Sequence, residues 1–174
     1  IAHVGFLFMA LSNPQAAGYS AAMFYAISYA IMATAAFGAI ILMSRRGFEA
    51  DQIADYKGLW QRSPFHAFLI MIVMASLAGV PPTLGFFAKL SAIGAAVDGG
   101  REWLAVLGVV MAVVGAFYYL RVIKVMFFDA PERDDMVAHA DGTLRFVFAA
   151  NAIALLVLGL GAQMILGWAE ASFL

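Results

Sequence analysis

The chain has 174 residues, of which 64% are apolar and only 12% charged, with a mean hydropathy of +0.91. That composition excludes an ordinary soluble domain and points to a membrane protein. Its formal net charge of −1 is uninformative because the charges are segregated by position, no nucleic-acid partner is expected, and the absence of cysteine excludes disulfides, thiolate metal sites and cysteine nucleophiles.

The first apolar segment, residues 1–12, ends at Ser12-Asn13-Pro14. It is shorter than the roughly 20 residues a membrane span needs. With neither an initiator Met nor a signal peptide, the sequence reads as one that starts within a helix of a longer chain. Residues 19–44 form a full predicted span, closed by Ser44-Arg45-Arg46-Gly47. The next apolar block, residues 65–97, is broken at 79–85 by Gly79-Val80-Pro81-Pro82-Thr83-Leu84-Gly85. Residues 103–128 form another span, with Arg121 and Lys124 near its end and Asp129-Ala130-Pro131 as its stop. Residues 144–168 form the last. The expectation is a single all-α transmembrane domain: a polytopic helix bundle of about 4–5 crossings plus a truncated first helix, with one helix discontinuous.

The broken block is the unusual one. As one helix, residues 65–97 would measure about 50 Å, against a hydrocarbon core of about 30 Å. That is too long for one straight span and too short for two, so a single crossing with an unwound middle fits best. Charge placement tests this independently. With one crossing, Arg45, Arg46, Lys57, Arg62, Arg121, Lys124, Arg133 and Arg145 all lie on one side and only Arg101 on the other. The positive-inside rule then makes the arginine-rich side cytoplasmic, as in a bacterial inner (plasma) membrane, and leaves the C-terminus outside.

Lys89 carries most of the functional signal. Between Phe65 and Val97 it is the only Asp, Glu, Lys or Arg. A charge at bilayer depth costs about 2.5–3.5 kcal/mol on insertion scales, and such residues generally mark pathways. Desolvation favours the neutral amine, so a lysine there can gain and lose a proton. Snorkelling to the surface is the competing reading, but Asp98 lies about 12 Å further along the helix. The paired prolines Pro81 and Pro82, between Gly79 and Gly85, remove backbone donors and free carbonyls beside this lysine. Broken transporter helices use such carbonyls at ion sites, although a proline kink alone would need no ion.

Tyr25, Ser28 and Tyr29 are spaced i, i+3, i+4 and share one helical face. They either line a hydrated path near Lys89 or join helices by hydrogen bonds. His3 and His66 each have the chemistry of a proton relay. His66 follows Ser63-Pro64 at a helix start, which also suits an interfacial residue. Arg121 and Lys124 suit a helix C-terminus, Trp103 and Trp168 an interfacial belt. The ten methionines suit packing. No metal-binding cluster, phosphate-binding loop or Ser-His-Asp arrangement is legible.

Residues 76–89, Ser-Leu-Ala-Gly-Val-Pro-Pro-Thr-Leu-Gly-Phe-Phe-Ala-Lys, resemble the L-A-G-I-P-x-T-x-G-F-x-x-K signature of the antiporter-like membrane subunits of respiratory complex I. Ile1-Ala2-His3-Val4-Gly5-Phe6, Asp55-Tyr56-Lys57-Gly58-Leu59-Trp60, and Phe117-Tyr118-Tyr119-Leu120-Arg121 with Ala130-Pro131-Glu132 resemble further motifs of that family, most like its subunit N branch. The resemblance implies that Lys89 is the lysine of a broken helix on a proton path. It implies partners among the other membrane subunits, including sister antiporter-like subunits, and the lipid bilayer. No cofactor is implied in this chain; NADH, flavin, iron–sulfur clusters and quinone would belong to other subunits of a proton-pumping NADH:quinone oxidoreductase. Sister subunits carry a further lysine on the helix equivalent to residues 19–43, where this sequence has no charge. A cation/proton antiporter subunit, a membrane-bound hydrogenase subunit and a structural membrane scaffold are the alternatives.

Overall fold

The computed structural model describes residues 1–44, 48–131 and 141–173. Among them the regular structure is helical throughout. Helix α1 is Ala2–Leu11 and α2 is Ala16–Met43; a 3₁₀ turn, Ile53–Tyr56, leads to the single turn α3, Leu59–Arg62. Then come α4, Pro64–Ala78, and α5, Leu84–Asp98, followed by α6, Glu102–Phe128, α7, Gly142–Leu160, and α8, Ala162–Ala171. Among the described residues α2, α6 and α7 are long and apolar enough to cross a membrane. The molecule is a polytopic helical membrane protein.

Local chemistry sets the helix ends. Pro64 opens α4, where its missing N–H costs nothing. Gly79 closes α4 at φ +87°, a left-handed conformation that glycine adopts without strain. The α1–α2 turn is held by buried Asn13: its Oδ1 accepts from the Gln15 N–H at 3.0 Å, while its Nδ2 donates to the Ala95 carbonyl at 2.9 Å. A two-residue turn chemistry read from Asn-Pro thus also ties α1 and α2 to the far end of α5.

Helices α4 and α5, 15 residues each, would be about 22 Å long, so neither crosses about 30 Å of hydrocarbon alone. The long helix α6 shows how they stack. Its first half lies near α1 and α5, with Gly108 against Met9 and Phe6. Its middle residues Val109, Ala112 and Val113 share a cavity wall with Ala78 and Gly79 at the break. Its end meets the loop before α4, where Gly58 N–H donates to the Val125 carbonyl at 3.2 Å and Trp60 stacks on Phe127. One continuous helix therefore runs beside α5, the break and the start of α4 in turn, which requires the two half-helices to follow one another end to end.

The interior interleaves many alanines with larger side chains such as Phe24, Met32 and Leu84. Ala35 and Ala39 on α2 and Ala88, Ala92, Ala95 and Ala96 on α5 are all buried, which lets helix backbones approach closely where no aqueous hydrophobic effect drives association. The outward face of α6, including Val106, Val110 and Phe117, is apolar and exposed, as suits acyl chains. Residues 144–168, expected as one span, are interrupted at Gly161, where α7 gives way to α8. No proline marks this position, so apolar periodicity alone does not reveal it. Of the basic residues used for orientation, Arg45, Arg46 and Arg133 lie outside the described residues.

Candidate functional site in the broken helix

Helix termination at Gly79 leaves the last carbonyls of α4 without intrahelical donors. Val80 to Thr83 then form a tight turn: Thr83 N–H donates to the Val80 carbonyl at 3.1 Å and Thr83 Oγ1 to the same carbonyl at 2.6 Å. The Pro81–Pro82 peptide bond within it is cis. Helix α5 starts at Leu84, and its N–H at Gly85 donates to Ser76 Oγ of α4 at 3.2 Å. A Cβ on Gly85 would overlap the Ser76 carbonyl, so glycine is what allows the two half-helices to pass this closely.

Lys89 turns back from α5 across this gap. Its Nζ donates to the carbonyls of Leu77 at 2.9 Å and Ala78 at 2.7 Å. The residue is 9% exposed. Its stem lies against Gly79, where a Cβ would sit 2.9 Å from Lys89 Cδ. The ammonium also lies 5.6 Å from the centre of the Phe6 ring, within cation–π range. An ammonium at the negative end of the α4 dipole completes that end's hydrogen bonding and meets a favourable field. Its partners are backbone oxygens and a ring; no carboxylate is paired with it among the described residues.

A second polar group gathers around His3. Its Nδ1 lies 3.0 Å from Tyr25 Oη and its Nε2 3.1 Å from Tyr119 Oη, while its ring stacks on Tyr29 at 4.7 Å. A neutral imidazole has one N–H and one lone pair, so one tyrosine donates to it and the other accepts. Three helices, α1, α2 and α6, are joined through that ring. His3 and Lys89 line the same cavity of about 720 Å³, together with Phe6, Met9, Gly108 and Tyr119. A smaller cavity of about 240 Å³ lies toward the break, bordered by Gly79, Lys89, Leu90 and Ala112. Lys89 and Ala112 line both.

Of the face Tyr25, Ser28, Tyr29, the two tyrosines meet His3, which lines the cavity that Lys89 also lines; none of the three lines it itself. Ser28 is fully buried, and its Oγ has no hydrogen-bond partner among the described residues. His66 is elsewhere: its Nδ1 pairs with Ser63 Oγ at 2.7 Å in the first turn of α4, and Arg145 is close enough to act on it electrostatically. Tyr119 was legible only as part of a Tyr-Tyr-Leu-Arg motif; the sequence does not distinguish it from its neighbour Tyr118. No group of three or more His, Cys, Asp or Glu that would hold a metal lies among the described residues.

The family model described as NADH:quinone oxidoreductase/Mrp antiporter, transmembrane, matches residues 1–115, which include His3, Tyr25, the helix break and Lys89 but not Tyr119. The chain belongs to that family. Within the NADH:quinone oxidoreductase/Mrp antiporter family, it is 54% identical to NADH-quinone oxidoreductase subunit N of Xanthomonas euvesicatoria, over 99% of this chain and 36% of that relative. It is 52% identical to the subunit N of Acidithiobacillus ferrooxidans, over 92% of this chain and 33% of that relative. The chain therefore spans about a third of the length of these curated relatives. Among solved structures it is similar to a chain of Thermus thermophilus respiratory complex I, with a TM-score of 0.79 and 28% identity over 95% of this chain and 37% of that one. It is also similar to a chain of the Mrp complex of Dietzia, with a TM-score of 0.72 and 27% identity over 91% of this chain and 38% of that one.

Proposed function

We propose that the chain is part of a proton-translocating membrane subunit, subunit N, of a bacterial NADH:quinone oxidoreductase, with Lys89 as a proton-carrying group. The observation that carries the reading is the Lys89 ammonium held on the carbonyls of Leu77 and Ala78 that the broken helix frees. Those bonds are charge-assisted and favour the ammonium; a surrounding poor in water favours the neutral amine. Two opposed effects of similar kind leave the lysine able to respond to a change in nearby charge or hydration. In its neutral form it takes a proton from the cavity that it shares with His3; when a neighbouring site becomes positive, it releases the proton and its hold on the carbonyls weakens. His3, Tyr25 and Tyr119 form a hydrogen-bonded set able to pass a proton by exchanging donor and acceptor roles.

The subunit holds no redox group in this reading. NADH, flavin, iron–sulfur clusters and quinone belong to other subunits, and its partners are neighbouring membrane subunits, including sister antiporter-like ones, with the basic loops facing the cytoplasm. The identity to curated subunit N relatives supports this assignment over a cation/proton antiporter subunit, although a structural likeness extends to an Mrp complex as well. Co-migration of the full-length subunit with NADH:quinone reductase activity separates the two.

The experiment is Lys89→Ala and Lys89→Arg in the full-length subunit within the intact complex, with proton pumping and quinone reduction followed together. Lys89→Ala loses most pumping per electron pair. Lys89→Arg keeps a cation at the carbonyls but pumps poorly, because arginine does not readily deprotonate. Undiminished, coupled pumping by Lys89→Ala would rule out the relay.

A further inference from the structure

We propose that Gly159 of α7 is a positioning residue for Lys89: its missing side chain lets α7 clamp the backbone of the helix break. Helix α7 buries Phe148, Ala152, Leu155 and Gly159, a stripe along one face. At the last of these, a Cβ would lie 2.7 Å from the Leu84 nitrogen and 2.7 Å from the Thr83 carbonyl carbon, and would overlap the Pro82 carbonyl oxygen. The backbones of α7 and of residues 82–84 are thus in direct contact, with no side chain between them. Glycine inside a helix is otherwise unfavourable, and two residues later α7 ends at Gly161.

The contact bears on Lys89 by simple geometry. The lysine's stem is carried by the first turns of α5, which begin at Leu84, whereas the carbonyls that receive its ammonium belong to the last turn of α4. The segment 79–83 sets the offset between those two helix ends. On one side it is held by Ser76 Oγ accepting from Gly85 N–H; on the other it is held by Gly159. A side chain at position 159 must push the start of α5 away from α7, and so alter the distances from Nζ to Leu77 and Ala78. Gly159 lies outside the sequence signature around Lys89 and touches neither its amine nor the His3 group.

This inference rests on the proposed role of Lys89. The test uses Gly159→Ala and Gly159→Val in the full-length subunit within the intact complex, with Gly167→Ala in α8 as a control, because a Cβ there meets nothing within 4 Å. Assembly, quinone reduction, proton pumping per electron pair and the pH profile of pumping are measured. Gly159→Ala is expected to assemble and reduce quinone while pumping falls at least about twofold, since small misplacements of a reacting group have large kinetic effects. The pH profile of the remaining pumping moves, Gly159→Val shows the larger loss, and Gly167→Ala is unchanged. Wild-type pumping and pH profile in both Gly159 variants would overturn the clamp, as would failure of both to assemble, which assigns the position to packing alone. The two readings fail differently: full pumping by Lys89→Ala removes the relay, whereas a Lys89-dependent complex indifferent to Gly159→Ala keeps the relay and removes the clamp.

Discussion

Among the described residues two helices are interrupted, and they are interrupted differently. Between α4 and α5 the chain leaves the helix for several residues, and the carbonyls of Leu77 and Ala78 are taken up by the ammonium of Lys89. Between α7 and α8 the interruption is Gly161 alone; its N–H still donates to the Val157 carbonyl at 3.0 Å, and Met164 N–H donates to the Gly161 carbonyl at 3.0 Å. The second interruption keeps helical hydrogen bonds on both sides of Gly161, so it frees fewer acceptors for a cation. A break becomes a candidate ion site when it frees acceptors and another element supplies a cation to them. A bend that keeps its own bonds changes only direction.

This difference can be pressed by mutation, with stability read as thermal unfolding of the full-length subunit in detergent. Gly85→Val should have the largest effect, a loss of about 3 kcal/mol, since its side chain would meet the Ser76 carbonyl and Met32 Sδ inside a packed interface. Stability equal to wild type would mean that α4 and α5 are not tightly apposed at the break. Gly79→Ala should cost about 1–2 kcal/mol through its left-handed backbone conformation, and more where its Cβ displaces the Lys89 stem. A neutral result there would show that the α4 terminus adopts another conformation. Gly161→Ala should act in the opposite direction, stabilising by about 0.5 kcal/mol, because its φ of −96° suits alanine and its Cβ would meet only the Val157 carbonyl at 3.5 Å. A marked destabilisation would show that the two interruptions are more alike than their hydrogen bonds indicate.

Several residues of the candidate site stand out in the sequence. Lys89 stood out because one charge in a long apolar block is costly, and the Gly79–Gly85 break because paired prolines cannot continue a helix. The shared face of Tyr25, Ser28 and Tyr29 followed from helical spacing. His3 was ambiguous in one dimension, since its role depends on Tyr25 and Tyr119, which lie 22 and 116 residues away. His66 had the same chemistry and a different fate, because its neighbour Ser63 holds it at the start of α4. The Gly161 bend and the Gly159 contact were not legible: a glycine in an apolar helix is common, and nothing local marks the one whose Cβ has no room.

Sequence alone determined that this is a helical membrane protein with one chargeable group beside a broken segment, because hydropathy, charge cost and proline chemistry are properties of residues near one another in the chain. Tertiary structure decided which atoms that group holds, that His3 shares its cavity, and that α7 lies against the break. Those outcomes depend on close approach between helices far apart in sequence, where the presence or absence of a single Cβ settles which backbones can touch.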